Sequence, residues 1–275
     1  MQSILLLTDF SDNAYNALKY AVNLLGKSNC NFHLLTIEKP SSYITGELLA
    51  ANPEDSIYSR VITDNKIKLN KLAEKLQKEI SGFNGNFHSH VLFDGFISAI
   101  ETSIDKYKID TVVLGTNGAS NLEETLFGSN ALKVIRQVKV TSLIIPQHFN
   151  YKEMSSILFS EHQNDDLSKK DLNELAFIFR EFQPQLHVLE INKNKNITNS
   201  EHNVLEKTSL QFVDYKIHRL SGIPAPYAIQ AFCQLFKVDL HALFVKEESF
   251  IDRFIQKSQT SEISYQSTVP LLILR

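Results

Sequence analysis

No stretch of the 275 residues approaches the roughly 20 consecutive apolar side chains that a membrane-spanning helix needs, which excludes a spanning bundle. Cysteine is scarce. Cys30 and Cys233 are the only two, too few for a disulfide framework or a zinc site, and they read as reduced structural thiols. Excess charge of one sign is also missing, because Lys+Arg 28 against Asp+Glu 31 leaves a net charge of −3. No Lys/Arg cluster interleaved with aromatics occurs in either half, so the basic surface that displaces counterions from nucleic acid is absent. Met1-Gln2-Ser3 offers no basic leader, and Thr8-Asp9 interrupts the first apolar run too early for a signal segment; a cytoplasmic location is expected.

What is present suffices for a core. Hydrophobic residues make up 43% of the chain, and the length is about twice the usual domain size. Ile4 to Leu7 is a short run apolar on every residue, the pattern of a parallel strand buried on both faces. A helix follows, capped by Ser11 or Asp12, with Ala14, Ala17, Leu18, Ala21, Val22 and Leu25 on one stripe. The alternation continues with a strand over 31–37, a charged amphipathic helix over 66–80 and a strand over 86–93. A helix over 98–107, a strand over 111–114, a helix over 132–138 and a strand over 142–145 complete it. Five strands with intervening helices predict a doubly wound α/β fold with a parallel sheet. Residues 40–63 exceed the usual connection length and read as a lid, a contact arm or a variable surface excursion.

After Asn150 the pattern restarts, with a strand over 156–159, a helix marked by Leu172, Leu175, Ala176 and Phe179, and a strand over 185–191. Asp110 to Pro146 lies on Asp239 to Arg275 at a constant offset of 129 without gaps. The chain therefore reads as two tandem doubly wound domains, 1–147 and 153–275, each with a five-stranded parallel sheet flanked by helices.

One spacing in the first copy carries chemistry. The strand over 111–114 opens into Gly115-Thr116-Asn117-Gly118, and after nine residues Gly128-Ser129-Asn130 begins a helix. Gly115 and Gly118 permit positive φ and close approach of the main chain, while a helix start offers free amides and a dipole to an anion. A solvated turn is the plain alternative. The position at the carboxyl end of a strand, on the same edge as Thr8-Asp9, favours a phosphate cradle. In the second copy Gly115 meets Phe244, Gly118 meets Glu247, Gly128 meets Lys257 and Ser129 meets Ser258. Asp9 is matched with Glu161. That copy keeps a Gly222-Ile223-Pro224 turn but is expected to bind no nucleotide.

The segment Ile4-Leu5-Leu6-Leu7-Thr8-Asp9-Phe10-Ser11, the alanine-rich helix after it, and the G-x2-G-x9-G-S pattern of residues 115–129 together resemble the universal stress protein family in its nucleotide-binding form. The resemblance implies an adenine nucleotide as cofactor, ATP, AMP or another adenylate, with or without Mg²⁺. It places the nucleoside contact on Asp9, pocket lining on Thr8 and backbone contacts to adenine near Thr36. Leu114, Gly115 and Gly118 fall in the glycine loop, and Gly128, Ser129 and Asn130 hold ribose and phosphates. The family's Gly-x-Pro turn after the third strand is Asp94-Gly95-Phe96 here.

The expected role is a stress-response binding protein with one site per chain and an unidentified protein partner. The alternatives are a slow ATP hydrolase, for which no Walker lysine or kinase-like Asp and Asn set is visible, and an interaction module without nucleotide. The two copies are expected to pair as a pseudo-dimer, edge to edge through their last strands, with whole-chain homodimerisation open.

Other clusters have plainer readings. Gly26-Lys27-Ser28 imitates a P-loop tail but reads as a helix stop; His88 and His90 share a strand face without a third metal ligand; Glu123-Glu124 reads as a solvated loop.

Overall fold

The computed structural model describes residues 2–39, 57–116, 127–161, 172–192, 213–245 and 268–275. They fall into two compact units, the first reaching Val140 and the second beginning at Thr141.

The first unit alternates strands and helices: β1 (Gln2–Leu7), α1 (Asp12–Leu25), β2 (Cys30–Glu38), α2 (Ile57–Glu79), β3 (Gly85–Phe93), α3 (Phe96–Tyr107), β4 (Thr111–Gly115) and α4 (Ser129–Gln137). β1 lies between β2 and β4, β3 lies outside β2, and every pairing is parallel. Ile4, Leu5, Leu6 and Leu7 are all buried, as expected for a central strand covered on both faces. Ser11 caps α1, its hydroxyl accepting the Ala14 N–H at 3.2 Å, and the apolar stripe expected on this helix is buried. Gly26 ends α1, donating to the Val22 carbonyl at 2.7 Å, so the P-loop imitation is a helix stop.

Helix α2 starts at Ile57 rather than Lys66. Its buried Asn65 donates to Glu38 Oε1 at 2.7 Å, a tertiary anchor that periodicity does not reveal. Residues 40–56 of the expected lid or arm lie outside the described residues, and the remainder is helix.

The second unit holds β5 (Thr141–Ile145), β6 (Ser156–Glu161), α5 (Asn173–Phe182), β7 (Gln185–Asn192), β8 (Tyr215–Ser221), α6 (Ala225–Leu235), β9 (Leu240–Phe244) and β10 (Leu271–Leu274). β6 lies between β7 and β9, with β8 outside β7 and β10 outside β9, all parallel. Strand β5, which the sequence assigns to the first copy, packs in this unit antiparallel to β10, with Leu143 opposite Leu272. The α/β class expected from the sequence is present, and the expected parallel sheets are parallel except where β5 meets β10.

Register refines the repeat. Ile4 faces Thr111 and Ile157 faces Leu240, so β4 and β9 correspond at the predicted offset of 129. The same offset carries α3 onto α6, Phe96 falling on Ala225. β3 and β8 correspond at 128 instead, because Phe87 and Tyr215 hold equivalent places opposite Phe32 and Leu186. The turn after β8 is therefore one residue longer than Asp94-Gly95. Gly222, at φ +73°, supplies a left-handed conformation that the shorter turn does not use. This accounts for the missing Gly-x-Pro in the first copy. β8 and α6 had no sequence assignment of their own, since Lys216, His218 and Arg219 hide the apolar pattern of an edge strand.

Each copy also clamps the start of its first strand with an aspartate. Asp110 Oδ2 accepts the Ser3 N–H at 2.8 Å, and Asp239 Oδ2 accepts from Ser155 N–H at 2.8 Å, Ser155 Oγ at 2.8 Å and Ser156 N–H at 3.0 Å.

Candidate functional site

The site expected in the first unit lies where β1, β2 and β4 end. β1 stops at Leu7, opposite Leu35, and the next residue, buried Thr8, still donates its N–H to the Leu35 carbonyl at 3.0 Å. The chain then turns sharply. Thr8 Oγ1 accepts the Phe10 N–H at 3.0 Å and holds Phe10 at φ +63°, a left-handed conformation unusual for an aromatic residue. Its ring is partly exposed, with Lys68 Nζ 5.6 Å from the ring centre.

Asp9 is exposed, and its Oδ1 accepts from Ser11 N–H at 3.0 Å and from Ser11 Oγ at 2.6 Å. The carboxylate thus organises the residue that caps α1, a helix-start role open to an aspartate that follows a strand.

The backbone on the β2 edge falls one residue away from the sequence expectation. Successive residues of a strand direct their N–H and C=O to opposite neighbours. Leu35 directs its carbonyl to Thr8, so Ile37 faces the β1 side and Thr36 faces β3, where it stands opposite Val91; Glu38 likewise accepts from Asp94 on the β3 side. Since β1 has already ended, main-chain groups aimed at the crevice belong to Ile37, not Thr36. Parity relative to β1 decides this, and only strand pairing reveals it. Buried Thr36 is left as a packing residue.

Leu114 is buried and Gly115 ends β4. Among the described glycines, positive φ occurs at Gly82 and Gly222, so Gly115 does not use the conformational freedom expected of it. It is small for a different reason. A Cβ on Gly115 would lie 2.7 Å from Asn13 Nδ2, 3.1 Å from Asn13 Cγ and 3.3 Å from the Asn13 carbonyl oxygen. The close approach is made by the first turn of α1, a contact no spacing in the sequence signalled.

Gly118 lies outside the described residues, as do Glu123 and Glu124. The two ends of that segment meet: the Gly128 N–H donates to the Thr116 carbonyl, which brings the start of α4 beside the end of β4. Gly128 is the N-cap of α4 at φ −57° and ψ 158°, with no side chain closing the helix. Ser129 and Asn130 are exposed in its first turn, while Ala131, Val134 and Ile135 anchor the other face. Uncapped amides at a helix start carry partial positive charge and suit an anion. Thr8, Asp9, Leu114, Gly115, Gly128, Ser129 and Asn130 are thus placed on one edge of one sheet.

The equivalent edge of the second unit differs. Phe244 stands where β4 has Gly115, and it is buried and paired with Leu274. Register also moves one match: Ile4 corresponds to Ile157, so Glu161 answers Thr8, and Asp9 falls on His162, outside the described residues. Glu247, Lys257 and Ser258 lie outside them too.

Among the described residues, no three His, Cys, Asp or Glu side chains form a group able to hold a metal ion, and no helix is long and apolar enough to cross a membrane.

Comparison with known proteins agrees with this architecture. A universal stress protein from Methanocaldococcus jannaschii, MJ0531, is 24% identical over 144 residues, covering 52% of this chain and 81% of the relative. The crystal structure of a universal stress protein from Archaeoglobus fulgidus covers 98% of this chain and 97% of its own at TM-score 0.70 and 16% identity. A functionally unknown protein from Pseudomonas aeruginosa, PA1789, covers 100% of this chain and 92% of its own at TM-score 0.60 and 13% identity. These likenesses concern the fold. The model of the universal stress protein family matches residues 1–146, more than half of the chain, and the protein belongs to that family.

Proposed function

We propose that the first unit binds an adenine nucleotide, with ATP as the leading ligand, and that the protein acts by binding rather than by turnover. The observation that carries the reading is the Gly128 N–H to Thr116 carbonyl bond, which sets an uncapped helix start against a strand end lacking a Cβ. Phosphates would lie at the amides of Ser129 and Asn130, with the Ser129 hydroxyl as a further donor. The adenine edge would meet the main-chain N–H and C=O of Ile37. Asp9, held by Ser11, would face the ribose. Occupancy would then set the association with a protein partner, in a protein acting in the cytoplasm. The second unit, with buried Phe244 in place of the strand-end glycine, would bind none.

Equilibrium titration with labelled ATP, with and without Mg²⁺, should give one site per chain. At 100 times its dissociation constant ATP should stabilise the first unit by about 2.7 kcal/mol. Gly118→Glu, which imitates Glu247, should abolish both effects. Two sites, or no shift at saturating nucleotide, would refute the reading, and the latter would favour an interaction module in which Asp9 only holds Ser11 at the start of α1.

The direction of the Ile37 main chain has a separate consequence for binding. Ile37→Pro removes an N–H facing the crevice and should weaken adenylate binding about tenfold while leaving the fold intact. Thr36→Pro removes a donor of the β2–β3 ladder and should lower the melting temperature instead. Calorimetric titration and thermal melting of both variants check this, and the reverse pattern would return the contact to Thr36.

A further inference from the structure

The same arrangement of two imidazoles occurs in both units, away from the candidate site. On β2 and β3, His33 Nδ1 lies 3.0 Å from His90 Nε2; on β7 and β8, His187 Nδ1 lies 3.0 Å from His218 Nε2. Register makes them equivalent, since His33 and His187 stand opposite His88 and Lys216, and the second imidazole follows two residues later in each case. The covering aromatic is equivalent too. Tyr107, at the end of α3, stacks on His90 with centroids 4.2 Å apart, and Phe236, at offset 129, lies 5.0 Å from His218 and 5.3 Å from His187. Phe232 of α6 adds an edge contact to His218 at 4.7 Å.

Two features make this pair more than packing. First, each bond ties an outer strand to its sheet: among the described residues β3 pairs with β2 alone, and β8 with β7 alone. Second, an N–H···N bond needs a lone pair on one ring. A neutral pair satisfies it, and so does a pair with one extra proton. With both rings charged, two N–H groups confront each other and must part.

We propose that each imidazole pair is an acid-operated latch, closed while it retains a lone pair and released when both rings are charged, freeing the outer strand and the helix end packed on it. The surroundings oppose charging. His33 and His90 are both held down to about 4, chiefly by burial, with His90, His88, Lys106 and Lys66 adding positive charge around them. His187 and His218 are lowered by burial first and then by charge, from His218 and Lys216 for the former and from Lys216 for the latter. The facing groups are thus His88 on β3, Lys106 and Tyr107 on α3 and Lys66 on α2 in one unit, and Lys216 on β8 with Phe232 and Phe236 in the other.

The sign follows from these directions. The closed latch takes protons less readily than free imidazole, whose ordinary value is about 6.5. In the first unit its stability is therefore complete above about 6.5 and drains away as pH falls toward 4, and in the second it drains away below about 6.5. Each histidine shifted by one unit changes the open population tenfold.

The test uses the full chain. Hydrogen exchange, corrected for the intrinsic rate, should show protection of the β3 amides falling about tenfold or more between pH 6.5 and 4.5, ahead of the β1 amides. His90→Gln should abolish that pH dependence in β3 and leave it in β8; His218→Gln should do the converse. Imidazole nitrogen resonances of the wild type should show paired rings titrating well below 6.5, a readout that stands even where a variant fails to fold. Rings that titrate near 6.5, β3 opening only together with β1, or an unchanged pH dependence in His90→Gln would overturn the proposal.

Discussion

Asp239→Ala should cost the second unit about 3 kcal/mol or more, whereas the equivalent Asp110→Ala should cost the first about 1 kcal/mol or less. Both aspartates precede the fourth strand of their copy and receive the backbone where the first strand begins. Their burial differs. The Asp239 side chain is 4% exposed and takes three donors besides Lys152 Nζ, which lies 2.5 Å from Oδ1. Burial alone would raise its carboxyl, but Lys152 and the Ser155 donors outweigh that and hold it below the usual carboxylate range. Truncation leaves several donors without an acceptor in a site that water enters poorly, so each desolvation penalty is felt. Asp110 is exposed, and water can replace it at Ser3. Urea unfolding followed by exchange of β6 and β1 amides separates the two effects. Equal losses in the two units would show that burial does not govern this clamp.

The second large effect is expected at Gly115. Gly115→Val should destabilise the first unit by about 1–3 kcal/mol, as overpacking does, and should also abolish adenylate binding, because α1 and β4 cannot close together. The contacts rank the remedies. Alanine meets chiefly the end of the Asn13 side chain, so Asn13→Ala should restore most of the stability lost in Gly115→Ala. Valine also reaches toward the Asn13 carbonyl oxygen, already 3.3 Å from the first carbon, and truncating the Asn13 side chain cannot relieve that contact. Melting temperatures of the four variants test this ranking. Full rescue of Gly115→Val by Asn13→Ala would place the constraint in the side chain alone.

Much of the fold was legible because local patterns and packing agree. The apolar run of β1, the stripe of α1 with Ser11 before it, and the strand-loop-helix order around β4 each follow from burial on known faces. The start of α2 was not legible, because Asn65, just ahead of the periodic stretch, is anchored to Glu38 across the fold. Strand β8 was hidden by the polar residues an outer strand displays. At the candidate edge, Gly115 does not use the positive φ expected of it, and its crowding by Asn13 comes from tertiary packing.

Composition and periodicity alone determined that this chain is an α/β protein with a glycine at the end of its fourth strand, because those signals are local. Tertiary structure decided the rest: that Ile37 rather than Thr36 turns its main chain to the crevice, that β5 runs antiparallel to β10, and that four histidines distant in sequence form two matched pairs. Each of these depends on which strand lies beside which and in what register. A shift of one residue there reverses every direction while leaving the local pattern unchanged.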